Sequence, residues 1–180
     1  MGLTNKSTGI NASETKLVIK KQSRNDKVVA IAGNPNVGKS TVFNGLTGLH
    51  QHTGNWPGKT VTNAQGYCRG KENSYVLVDI PGTYSLLAHS AEEEVARNFI
   101  CFEHPDIIVV VCDATCLERN LNLVIQTIEI HTNVIVCVNL LDEAKKKGID
   151  IDLEQLSSCL GVPVIGITAR KKTDLHKVID

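Results

Sequence analysis

Residues 28–44 read Val28-Val29-Ala30-Ile31-Ala32-Gly33-Asn34-Pro35-Asn36-Val37-Gly38-Lys39-Ser40-Thr41-Val42-Phe43-Asn44. An apolar run leads into G-x-x-x-x-G-K-S at 33–40, and a helical pattern follows at once. That strand–loop–helix context marks a phosphate loop. Its glycines let backbone N–H groups turn inward around phosphate oxygens, and the helix N-terminus adds a favourable dipole. Lys39 then reaches the β- and γ-phosphates, and the Ser40 hydroxyl is placed to ligate Mg²⁺. Gly33, Asn34, Pro35, Asn36, Val37, Gly38, Lys39, Ser40 and Thr41 are therefore candidate nucleotide-binding residues.

Outward from this stretch the chain alternates. Apolar β-rich runs at 28–32, 75–79, 107–112, 134–138 and 162–167 read as buried strands, and helical patterns lie at about 39–47, 90–102, 118–131, 152–160 and from 173 onward. Residues 60–68 alternate more strictly and suit an edge strand paired with 75–79. The expected fold is α/β: a doubly wound, mostly parallel six-stranded sheet flanked by helices, with ligands beyond the carboxyl ends of the strands. Residues 1–26 are polar and are expected to form a disordered extension, in which only Leu17-Val18-Ile19 suits an added edge strand. Residues 27–180 form the domain, read as a fragment of a larger protein.

Composition excludes several classes. Nineteen basic and nineteen acidic residues cancel, so nothing in the charge calls for nucleic acid or an anionic membrane. No stretch reaches the roughly 20 apolar residues of a membrane-spanning helix, and the N-terminus lacks the apolar core of a signal peptide. The six cysteines contain no C-x-x-C pair and read as buried, reduced thiols of a cytosolic protein.

Three further patterns narrow the nucleotide. Asp79-Ile80-Pro81-Gly82 is a D-x-x-G at a strand end, where the carboxylate serves Mg²⁺ through water and Gly82 offers its N–H to a γ-phosphate. Asn139-Leu140-Leu141-Asp142 is an N-x-x-D, whose carboxylate suits the paired donors of a guanine edge; a helix N-cap is the competing reading. Thr168-Ala169-Arg170 follows the next strand, where a backbone N–H meets the guanine O6. Together they favour GTP and GDP over ATP. The Gly-rich loop Gly54-Asn55-Trp56-Pro57-Gly58-Lys59-Thr60 supplies Thr60 as a second Mg²⁺ ligand that engages only when a γ-phosphate orders the loop, and Gly58, Lys59, Thr60, Val61 and Thr62 are candidate nucleotide-binding residues. Trp56 in the same loop either anchors one loop state by burial or is a surface hydrophobe. Lys39, Thr60, Gly82 and Asn36 are the candidate catalytic residues. Asn36, with carbonyls of the Gly54–Gly58 loop, is a candidate K⁺ ligand; the alternative is that it only hydrogen-bonds its own loop.

With these residues in view, the chain resembles the GTP-binding domain of the bacterial ferrous iron transport protein B (FeoB) family over 27–180. The likeness rests on Gly54-Asn55-Trp56-Pro57-Gly58, on Asp79-Ile80-Pro81-Gly82-Thr83-Tyr84-Ser85-Leu86, and on Asp113-Ala114-Thr115-Cys116-Leu117-Glu118-Arg119-Asn120-Leu121. It implies a slow GTPase on the cytoplasmic face of the bacterial inner membrane, followed by a helical spacer and an Fe²⁺ permease through which it could oligomerise. Two positions depart from the general GTPase pattern. Leu140 stands where N-K-x-D has lysine, which implies weaker affinity and fast GDP release. Thr83 follows Gly82, where a glutamine would orient the attacking water. Ribosome-assembly GTPases share the phosphate loop and N-x-x-D, but normally add a basic RNA-binding domain that this neutral chain lacks.

Overall fold

Every residue of Val28–Gly33 is buried, so the strand they form has no solvent face and must lie between two layers. In the computed structural model, which describes residues 17–48, 51–87 and 89–179, it is β1 (Lys27–Gly33), followed by α1 (Lys39–Thr47). The chain continues through β2 (Gln51–Asn55), β3 (Thr62–Arg69), β4 (Ser74–Asp79), α2 (Ala91–Phe102) and β5 (Ile107–Asp113). A 3-10 turn at Ala114–Cys116 leads into α3 (Leu117–Ile130), then β6 (Val134–Asn139), α4 (Leu141–Lys146), α5 (Leu153–Leu160), β7 (Val164–Gly166) and α6 (Lys172–Ile179).

The sheet order is β2-β3-β4-β1-β5-β6-β7. β4, β1, β5, β6 and β7 run parallel, while β3 is antiparallel to both of its neighbours. Alternate residues of β1 feed two cores. Val28, Ala30 and Ala32 pack with Val95, Phe99, Leu123 and Val124 of α2 and α3. Val29 and Ile31 pack with Val42 and Phe43 of α1 and Leu175 and Val178 of α6. The expected doubly wound sheet is therefore present, with seven strands rather than six. The added strand, Gln-His-Thr-Gly-Asn, is mostly exposed and has no apolar alternation; its ladder to β3 defines it, and it makes β3 an interior strand. α4 was also unforeseen, being too short to show a period. β7 is shorter than the 162–167 run because Pro163 has no N–H to give to a ladder.

Residues 17–26, read from the sequence as part of a disordered extension, follow a defined course, and residues 1–16 lie outside the described residues. The 17–19 segment is not a ladder strand. The side-chain amide of Gln65 donates to the Val18 carbonyl at 3.0 Å and accepts from Lys20 N at 3.1 Å, and the Tyr67 hydroxyl donates to the Lys20 carbonyl.

The loop after β2 is docked on α2. Trp56 is buried and meets Phe99 edge-to-face, with ring centroids 5.3 Å apart and planes at 77°. Lys59 Nζ donates to Glu94 Oε2 at 2.7 Å, and this pair holds the Glu94 carboxyl below its usual range. Of the two readings of Trp56, burial is the one observed. Truncating Phe99→Ala should destabilise the domain by about 3–5 kcal/mol in denaturant unfolding and shift Trp56 emission to the red. Unshifted emission would show that Phe99 does not hold the indole.

Candidate functional site

Parallel β4, β1, β5 and β6 end on one edge of the sheet, so the segments after Asp79, Gly33, Asp113 and Asn139 are gathered there. Gly38 begins α1 with φ 84°, a left-handed conformation, and a Cβ built on it would lie 2.4 Å from Asn139 Nδ2. Only glycine fits that position. Asn36 is also left-handed (φ 66°) and exposed, a conformation asparagine tolerates better than most residues. That gives asparagine a backbone reason to stand there, whatever its side chain binds.

The D-x-x-G segment lies directly against the phosphate loop. Lys39 Nζ pairs with the Asp79 carboxylate, both side chains being mostly buried. Thr83 N donates to the Gly33 carbonyl at 3.2 Å, and a Cβ on Gly82 would stand 3.1 Å from the Pro35 backbone. The buried Thr83 hydroxyl donates to Ser85 O at 2.6 Å and is committed within its own turn.

Asn139, 1% exposed, joins two loops. Its Nδ2 donates to Val37 O and its Oδ1 accepts from Ala169 N, each at 3.0 Å. The amide thus ties the phosphate loop to the 168–170 loop. The N-cap reading of the N-x-x-D segment does not describe it: left-handed Leu140 (φ 63°) holds the N-cap position of α4, with no side-chain cap. Asp142 sits in the first turn, and its Oδ1 is buried with no hydrogen-bond partner among the described residues. A buried carboxylate oxygen without a partner is costly. It borders a cleft of about 440 Å³ lined also by Asn36, Thr41, Leu140, Thr168, Ala169 and Arg170.

Of the remaining expected residues, Ser40 and Thr60 are exposed. Gly58 is left-handed, Val61 is half-buried, and Thr62 opens β3. Trp56 and Lys59 hold this loop on α2. The hydroxyls of Ser40 and Thr60 and the Asp79 carboxylate are hard oxygen donors of the kind Mg²⁺ takes. Among the described residues no group of three or more His, Cys, Asp or Glu side chains is placed to hold a metal ion by itself.

Of the other residues in this region, Glu143 and Lys147 had no sequence signal, and Asp113 and Thr115 had one only as part of the 113–121 run. Asp113, Thr115, Glu143 and Lys147 also line the cleft, and Asp113 Oδ1 caps the 3-10 turn through Thr115 N at 2.7 Å. The expectation of buried thiols holds for Cys68, Cys112 and Cys137, where burial pushes the thiols up to about 11, 12 and 12. Cys116 and Cys159 are exposed, because each falls on the solvent side of its helical segment.

A mostly parallel sheet whose strand ends bring a phosphate loop, a D-x-x-G and an N-x-x-D to one edge defines a P-loop G domain. The family model of ferrous iron transport protein B matches residues 27–180, and the chain belongs to that family. It is 42% identical over 147 residues to the Fe(2+) transporter FeoB of Escherichia coli (strain K12), covering 79% of this chain and 19% of that protein. The G domain of the T. maritima FeoB iron transporter superposes with a TM-score of 0.80 at 38% identity, over 84% of this chain and 93% of that one. The cytosolic domain of the same transporter in a GDP form gives a TM-score of 0.81 at 38% identity, over 85% of this chain and 60% of that one. The chain thus spans about a fifth of the length of the relative it matches.

The 168–170 loop is held from below by Asp174. Its Oδ2 accepts from Thr168 N at 3.1 Å and its Oδ1 from Lys177 Nζ at 2.9 Å. The hydrogen bond from Lys177, then that from Thr168, lowers the carboxyl below the usual aspartate range. A lowered folded value means that the stabilisation is complete above the ordinary aspartate range and is lost as pH falls through the folded value. Asp174→Ala should therefore cost about 1 kcal/mol at neutral pH, and the gap to wild type should close on acidification. A gap constant with pH would show that the ionised carboxylate is not what holds the loop.

Proposed function

We propose that this domain binds GTP and GDP, hydrolyses GTP slowly, and serves as a switch for an Fe²⁺ permease in the same whole protein. The observation that carries the guanine reading is Asp142, a lining residue of the cleft whose Oδ1 is buried with no hydrogen-bond partner among the described residues. Guanine presents N1–H and a 2-amino group side by side, and a carboxylate accepts both. Adenine offers no such pair and would leave the oxygen unsatisfied. Asn139 serves the same end indirectly, because its two bonds set the distance between the phosphate loop and the loop that borders the base.

On the phosphate side, the N–H groups of 34–40 and the start of α1 receive the phosphate oxygens, and Lys39 adds charge. Ser40, Thr60 and Asp79 would hold Mg²⁺, which neutralises charge shared by the β- and γ-phosphates when bound. Gly82 would offer its N–H to the γ-phosphate. Thr83 is buried and committed to Ser85, so it is not available to orient water, which supports slow hydrolysis. Leu140 in place of a lysine removes cover from the base and supports fast GDP release. Asn36 lines the cleft and is exposed, and its side-chain carbonyl is a candidate K⁺ ligand that would add positive charge beside the β- and γ-phosphates.

No described helix is long and apolar enough to cross a membrane. The permease, the helical spacer and any contacts that oligomerise them are assigned to the rest of the whole protein, with this domain on the cytoplasmic face.

Two measurements test this. Asp142→Asn should weaken binding of a fluorescent GDP analogue by about tenfold or more, since each charge-assisted bond contributes about 1.5–3 kcal/mol; equal competition by ADP against wild type would sink the guanine assignment. Hydrolysis should be faster in KCl than in NaCl at equal ionic strength, and Asn36→Ala should abolish the difference. Identical rates in the two salts would remove the K⁺ site.

A further inference from the structure

The two runs outside the general GTPase motifs, Thr83–Leu86 and Leu117–Leu121, have no part in the nucleotide chemistry described so far, yet the structure brings them together. Arg119 lies with its guanidinium carbon 4.2 Å from the centroid of the Tyr84 ring. One turn on, Asn122 Nδ2 donates to the Tyr84 carbonyl at 3.2 Å. One turn further, Gln126 Oε1 accepts from Leu86 N at 2.7 Å and from Ser85 Oγ at 3.2 Å. Residues 119, 122 and 126 share one face of α3. The segment they hold is anchored at its other end by Thr83 N on Gly33 O, and Leu86 is buried in the α2/α3-side core. The carbonyl of Arg119 also stands 3.5 Å from Asn34 Nδ2, which brings α3 up to the phosphate loop.

We propose that Arg119, Asn122 and Gln126 form a latch for the main chain that follows Gly82, and that they are positioning residues for GTP hydrolysis. None is assigned a contact with nucleotide. They act through Gly82, whose N–H must meet the γ-phosphate and whose onward chain has nowhere to go while Tyr84 to Leu86 are held on α3. The latch combines forces of different kinds. The cation–π contact is made at exposed side chains and is weak, whereas Gln126 satisfies the main-chain N–H of buried Leu86. Gln126 is therefore the stronger part, and Arg119 fixes the ring over the helix. This role rests on the GTPase reading above, but the latch itself does not.

Two pairs of variants separate the possibilities. Arg119→Ala and Gln126→Ala remove the contacts, while Arg119→Lys keeps a cation over the ring and Gln126→Glu keeps the acceptor. Both alanine variants should speed hydrogen exchange at Leu86 N in nucleotide-free protein. They should slow single-turnover GTP hydrolysis by about fivefold while leaving GDP affinity within about twofold, and the conservative variants should recover most of the rate. Unchanged exchange at Leu86 would overturn the latch. Faster exchange with unchanged hydrolysis, with accelerated hydrolysis, or with an equal loss of GDP affinity would overturn the positioning role. Wild-type protein that fails to bind GDP would overturn the nucleotide reading, and the positioning role with it, while the exchange data still decide the latch.

Discussion

The site depends on one buried amide. Asn139 ends β6 with its side chain 1% exposed, donating to the Val37 carbonyl and accepting from Ala169 N. A hydrophobe of the same size would leave two buried main-chain groups unpaired, and a carboxylate would face a carbonyl oxygen with no proton to give it. Gly38 follows from the same contact, since any side chain there would collide with Asn139 Nδ2. The phosphate loop, the N-x-x-D segment and the 168–170 loop are thus held at fixed separations before any ligand is considered. In that arrangement Asp142 lines the cleft with its Oδ1 buried and without a partner among the described residues.

Around this centre the Thr60 loop and the segment after Gly82 are docked on separate helices by different forces. The Thr60 loop sits on α2 through aromatic burial of Trp56 on Phe99 and the Lys59–Glu94 pair. The segment after Gly82 sits on α3 through hydrogen bonds to Gln126 and Asn122 and the Arg119–Tyr84 stack. α2 is itself fixed at its start, where Ser90 Oγ accepts from Glu93 N. Each loop therefore rests on its own support.

Much of this was legible in the sequence because the signals were dense. Val28–Ala32 followed by G-x-x-x-x-G-K-S admits few readings, and the buried parallel strands announced themselves as unbroken apolar runs. β2 was invisible because Gln51–Asn55 buries almost nothing and is defined by its ladder alone. The course of residues 17–20 was not legible for a related reason: its pairing comes from Gln65 and Tyr67 side chains, which no periodicity reports. The two hydrogen bonds of Asn139 span 102 and 30 positions, and the bond from Leu86 N to Gln126 spans 40. Only tertiary contact reveals which polar group meets which.

The central claim is that the Asp142 carboxylate reads the donor pair of guanine. Xanthine replaces the 2-amino donor with a carbonyl acceptor, which a carboxylate repels and a carboxamide can bind. Competition between GDP and xanthosine diphosphate, on wild-type protein and on Asp142→Asn, tests the claim by inversion rather than by loss. The account predicts that wild type prefers GDP and that the variant prefers xanthosine diphosphate by about tenfold or more. A variant weakened for both nucleotides with an unchanged ratio would contradict it.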